Sequence, residues 1–201
     1  MNFEKERGSK SMKATYSKLT IAVVFVIAAS FVLMPVHANP VDCHSDQRQL
    51  QNNAGLGFGG RTVLAQTFVP SAPGLRVCKV KVTIRKNVAG AGPLTLRLLN
   101  AAFGPVANPV TIPAAAIPMG VSVQLFELDC HGAPLGGGRY VIQLESPDSA
   151  AGAYSWRGAG GNPYVQPANG GRGWRNLNAG NPANWNSLGL WDFAFDIYVC
   201  D

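Results

Sequence analysis

The chain has 201 residues, 17 of them basic and 11 acidic, for a formal net charge of +6. The first 38 residues hold five of the basic and two of the acidic side chains, so the rest carries 12 against 9, a net of +3 that gives little support to a nucleic-acid partner. With 23 glycines and 14 prolines and few helix signals, the composition points to one domain of short, punctuated segments.

The basic leader (Lys5, Arg7, Lys10, Lys13, Lys18) precedes an apolar run from Leu19 to Met34, then Pro35 and Val36-His37-Ala38. This is the three-part layout of a secretory signal, with cleavage expected after Ala38. The apolar run is 16 residues long and contains Thr20 and Ser30, against about 20 for a comfortable span, so no membrane association is expected after cleavage. The expected organisation is a signal peptide at 1–38, a polar N-terminal extension at 39–60 and a β-sandwich domain at 61–201, in a protein secreted or periplasmic.

Seven strands are predicted from period-2 alternation between turn signals. They run through 61–69, 75–86, 93–100, 121–128, 139–145, 153–157 and 190–200. The second is the clearest: Cys78, Val80, Val82 and Ile84 alternate with Lys79, Lys81, Thr83 and Arg85, one buried face and one wet. The last places Trp191, Phe193, Phe195, Ile197 and Val199 on one face. Residues 106–120 hold three prolines and read as a crossover loop. These elements define an all-β class: a two-sheet antiparallel β-sandwich of the jelly-roll kind.

Between Gly158 and Trp191 the sequence GAGGNPYVQPANGGRGWRNLNAGNPANWNSLGLW reads as a loop, yet carries Tyr164, Trp174, Trp185 and Trp191. Tyrosine and tryptophan rings stack on the apolar C–H faces of sugars at low entropic cost. Asn162, Asn169, Asn176, Asn178 and Asn184 supply donors and acceptors, and Arg157, Arg172 and Arg175 add planar forks of donors. The candidate ligand-binding set is Tyr164, Trp174, Trp185, Trp156, Arg172 and Arg175, and the alternative role for these rings is to pin the loop to the body.

The span from about Ala65 to Tyr198 resembles the jelly-roll domains of secreted and surface bacterial proteins, several of them related in shape to carbohydrate-binding modules. Four passages carry the resemblance: AQTFVP at 65–70, VCKVKVTIRK at 77–86, the Asn-Pro and Tyr/Trp-rich stretch at 162–185, and WDFAFDIY at 191–198. It implies the sandwich fold more strongly than it implies an activity.

Cys43, Cys78, Cys130 and Cys200 all follow the leader, and an even count in an oxidising compartment reads as two disulfides with three possible connectivities. Because the first and last segments of a jelly roll lie together, the expected pairs are Cys43–Cys200 and Cys78–Cys130. No catalytic set emerges. Neither G-x-S-x-G nor HExxH occurs. Asp192 and Asp196 lie about 13 Å apart along a strand, too far for a glycosidase pair, while Glu127 and Asp129, about 6.6 Å apart if extended, sit on an ordinary solvated strand. No metal or other cofactor is expected. Asp42, His44 and Asp46 read as a flexible polar arm, and Asp192 with Asp196 offers at most a structural calcium. The reading is therefore a non-enzymatic module that binds a glycan or other cell-surface component, with a structural or protein-interaction module lacking a sugar ligand as the alternative.

Overall fold

The computed structural model describes residues 42–129, 132, 134–161, 163–164, 171–179 and 181–200. The expected signal peptide, Cys130, Asn162 and Asn169 lie outside them. Thirteen strands follow in chain order: β1 His44–Gln49, β2 Ala54–Phe58, β3 Val63–Phe68, β4 Arg76–Lys86, β5 Leu94–Asn100, β6 Val110–Ile112 and β7 Gly120–Glu127, then β8 Tyr140–Glu145, β9 Tyr154–Gly160, β10 Gly173–Asn176, β11 Trp185–Ser187, β12 Trp191–Phe193 and β13 Phe195–Cys200. Two 3-10 turns, Ala114–Ala116 and Pro182–Asn184, are the only helical elements among the described residues.

The strands form two antiparallel sheets. The first runs β1-β13-β4-β9-β12, with β2 paired to β9 and β7 to β4. The second runs β11-β10-β3-β8-β5-β6. Both sheets are open and packed face to face as a β-sandwich, so the all-β expectation holds. Strand β4 is its central member. Val80, Val82 and Ile84 are buried and the residues between them reach solvent, the pattern of a strand with one covered face. Between the sheets Trp156 stacks on Phe193 with ring centroids 4.5 Å apart, and its indole Nε1 donates to the Ala194 carbonyl at 2.9 Å. A buried indole thus finds both an apolar face and an acceptor.

Three sequence expectations need correction. Residues 39–60 are not a mere extension, because β1 and β2 are members of the first sheet. They escaped the pattern because their strands are polar or glycine-rich, HSDQRQ and AGLGF, and the buried positions of β1 are Gln47 and Gln49 rather than aliphatics. The stretch from Gly158 to Trp191 is not one long loop, since it contains β10 and β11 at the edge of the second sheet. Finally, the cysteine pairing differs. The first and last strands do lie side by side, His44 opposite Val199, but Cys43 is bonded to Cys78, not to Cys200, with Cα atoms 6.6 Å apart. Cys78 is therefore not available to Cys130 either. The physical reason lies in β4. Tyr198 pairs with Lys79 and Val199 with Val77, which leaves Cys78 as the extra residue of a β-bulge. A bulge re-aims the side chain it carries. Cys200 is buried, its Sγ 3.6 Å from the Arg76 carbonyl oxygen. The Cys43–Cys78 bond closes a separation of 35 residues, and chain-entropy arguments assign such a closure about 3–4 kcal/mol.

Candidate functional site

The aromatic residues between Gly158 and Trp191 divide into two groups. Tyr164 is buried, with 5% of its surface exposed. Its ring meets Phe195 edge-on, with centroids 5.0 Å apart. Its hydroxyl donates to Gln47 Oε1 at 2.8 Å, and its backbone N–H donates to Asp192 Oδ2 at 3.1 Å. Burial pushes the tyrosine hydroxyl well above the usual phenol range. Glycines make room for these rings. A Cβ at Gly171 would overlap the Tyr164 ring, and one at Gly173 would lie 2.7 Å from the Trp191 carbonyl oxygen and 3.2 Å from the Phe193 ring. Tyr164 and Trp191 thus each lie against a backbone that has no side chain.

Asp192 joins this anchor. It is wholly buried, and its Oδ1 accepts from Gln66 Nε2 at 3.0 Å while Oδ2 takes the Tyr164 N–H. Gln66 is itself fixed, because its Oε1 accepts from the Phe193 N–H at 2.8 Å. Burial raises the Asp192 carboxyl above its ordinary pKa, against the opposing effect of the Tyr164 and Gln66 hydrogen bonds. Asp196 instead accepts from Ser45 Oγ at 2.5 Å. The two aspartates thus serve different partners. Among the described residues no group of three His, Cys, Asp or Glu side chains lies close enough to hold a metal ion, Asp42, His44 and Asp46 included.

The second group stands on the outer face of the second sheet. Trp174 on β10 and Trp185 on β11 are half-buried there and pack, together with Phe103, against Ala65, Leu99 and Val141. Trp185 stacks on Phe103 with centroids 4.8 Å apart and ring planes 13° from parallel. Phe103 arrives from the turn after β5. The Asn100 side-chain oxygen accepts from the Ala102 and Gly104 N–H groups, each at 2.9 Å, and Phe103 adopts a left-handed backbone with φ of 62°. That conformation costs a non-glycine residue about 1–2 kcal/mol. The turn accepts it and delivers the ring onto Trp185. On the other side, the buried Asn176 organises the approach to β11. Its amide donates to the Asn181 carbonyl at 2.9 Å, and its oxygen accepts from the Asn178 N–H at 2.8 Å.

Beside these rings is a groove of about 330 Å³, lined by Arg97, Leu99, Phe103, Gln143, Glu145 and Trp185 among others. Its polar floor is pre-arranged. Arg97 Nε donates to Glu145 Oε1 at 2.6 Å, and Gln143 Nε2 donates to Oε2 at 3.0 Å. Both oxygens of the carboxylate are thereby engaged, while the Arg97 side chain, 41% exposed, has guanidinium donors beyond Nε for solvent or a ligand.

Of the six sequence candidates, then, the sandwich brings Trp174 and Trp185 together. Trp156 and Tyr164 lie in the core. Arg172 is tied by its backbone to Thr67, with its N–H 2.9 Å from Oγ1, and its side chain is exposed away from the groove lining. Arg175 alternates with Trp174 along β10 and so takes the opposite side of the strand. Sequence reasoning missed Phe103, Arg97, Gln143 and Glu145. The only local cue was a phenylalanine inside the turn-like AAFGP, since the other three become neighbours only through the pairing of β5 with β8.

The fold and this face define the protein's class, an all-β two-sheet sandwich with an aromatic groove on one outer face. No protein-family model matches the chain, and no curated protein sequence matches it.

Proposed function

We propose that the protein is an exported, non-enzymatic binding module that takes a carbohydrate in the groove beside Trp185. The observation behind this reading is the juxtaposition of a stacked Trp185–Phe103 pair with Arg97, Gln143 and Glu145 in one groove. An aromatic platform next to a row of planar hydrogen-bonding groups suits a sugar ring, which has an apolar face and a polar rim. A single carboxylate lines that groove, and both its oxygens are already bonded, which favours binding over glycoside hydrolysis. The Cys43–Cys78 disulfide fits an oxidising compartment and supports export. The alternative reading, a surface interaction module with no sugar ligand, draws on the apolar outer row of β7.

The test is a glycan screen of the purified protein followed by calorimetric titration of any hit. Binding is expected, and Phe103→Ala is expected to weaken it at least about tenfold, as loss of a stacking anchor does. A panel of neutral and acidic glycans with no binder, or binding untouched by Phe103→Ala, would refute the groove as a sugar site.

A further inference from the structure

On the opposite sheet lies a feature that the groove does not use. Strand β7, GVSVQLFE, pairs with β4 along one side, in unbroken register from Lys86 opposite Gly120 to Lys79 opposite Glu127. Among the described residues it pairs with no other strand, so it is an edge. Edge strands are commonly protected by lysines, prolines, bulges or shortness. Here the strand has eight residues, spanning about 27 Å, with no proline, no bulge and one charge, Glu127, at its end. Its outward side chains are apolar as well: Val121, Val123 and Leu125 are 57%, 62% and 41% exposed. Beside Val123 a shallow hollow of about 310 Å³, lined by Leu50, Thr83 and Phe195 and flanked by the charged Lys81 and Asp196, carries part of the apolar surface across the sheet. Contiguous exposed apolar surface of this kind marks an interaction site.

We propose that β7 pairs antiparallel with β7 of a second copy of this chain, joining the two first sheets into one continuous sheet. Two features of the strand select this occupant over an unrelated one. An antiparallel two-fold pairing centred on Gln124 sets Val123 opposite Leu125 and Val121 opposite Glu127 of the other copy, so that the two outward rows lie side by side. It also carries Glu127 of each copy to the Val121 end of the other strand. Val121 is opposite Arg85 on β4, so each Glu127 gains a cation beyond the Lys79 it already faces at 3.9 Å. The strand is therefore self-complementary in both its apolar row and its charge, as an isologous interface requires.

Sedimentation equilibrium of the purified protein tests this. A reversible dimer is expected. Val123→Lys, at a position that faces solvent in the single copy, should leave the circular dichroism and melting temperature of the monomer in place and raise the dimer dissociation constant at least about tenfold. Glu127→Arg and Arg85→Glu should each weaken the dimer, and the double variant should recover part of the loss. Glycan titration of Val123→Lys separates this proposal from the groove, because binding on the other sheet should be unchanged. A protein that stays monomeric at every accessible concentration overturns the proposal, including the case in which β7 instead captures an extended peptide or a lipid vesicle. A dimer indifferent to Val123→Lys overturns it too.

Discussion

Tyr164 and Trp185 come from one glycine-rich segment and end in opposite circumstances. Tyr164 lies under the segment, edge-on to Phe195, with its hydroxyl and its backbone N–H both bonded to side chains of the first sheet. Trp185 lies on top of the second sheet, half open, with only another ring as its neighbour across the stack. The difference is not written in the glycine, asparagine and proline content, which both sides of Gly171 share. It comes from what each ring meets. Tyr164 finds a backbone without a side chain and two buried acceptors, the Gln47 amide oxygen and the Asp192 carboxyl. Trp185 finds a sheet face whose own residues, Ala65 and Val141, are too small to cover it. The first ring anchors the segment, and the second is left for a ligand.

The strongest way to break this contrast is Tyr164→Ala. Removing a buried ring leaves a cavity and takes away the hydroxyl that donates to Gln47, so a loss of about 3–5 kcal/mol is expected in urea unfolding. A loss below about 1 kcal/mol would mean that Tyr164 does not anchor the segment, and the two groups of rings would no longer differ in kind.

A finer test lies one hydrogen bond away. Asp192→Asn keeps the shape but gives one donor to a site where both neighbours already donate. Gln66 cannot turn its amide to help, because its oxygen holds the Phe193 N–H. One donor is left facing another, at a cost of about 1–3 kcal/mol. The pH dependence has a definite sign. The Asp192 carboxyl sits above its ordinary pKa in the folded chain because of burial, so the folded state binds the proton more tightly than the unfolded one. Its contribution to stability is therefore full below the unfolded value of about 4 and declines as pH rises through the folded value, with no further change above it. The stability gap between wild type and Asp192→Asn should narrow as pH is raised from about 4. A gap that widens over that range would show that the carboxylate is the favoured buried form.

How far all this was legible follows from what each residue meets. Strands β4, β8 and β13 show in the sequence because each has an aliphatic or aromatic row facing the other sheet. Strands β1 and β10 do not. The inward residues of β1 are glutamines satisfied by hydrogen bonds, and Gly173 on β10 is excluded from having a side chain by Trp191 and Phe193. A hydropathy pattern records apolar burial, and it is blind to burial achieved through amides or through bare backbone. The same limit governs the site. Trp174 and Trp185 stood out as large rings among small residues. Arg97 and Glu145 looked like ordinary charges on the wet side of their strands, and they acquire a role only where β5 and β8 align beside the Phe103 turn.

The smallest stability effect is expected at Trp185 itself, and it decides the most. The ring stacks on Phe103 and rests on a minor cluster outside the main core, so Trp185→Ala should cost about 1 kcal/mol, the scale of one partly exposed aromatic pair. For a chain of this length that is a shift of a few degrees in melting temperature. Loss of glycan binding should be large by comparison, because the same substitution removes half of the stacking platform. Trp185→Phe supplies the internal control: it retains an aromatic face, so it should recover much of the binding while leaving stability near the wild-type value. If Trp185→Ala instead melts ten or more degrees lower, the ring belongs with Tyr164 as an anchor. Its half-exposed position would then reflect incomplete cover, and the groove would lose its claim to a ligand.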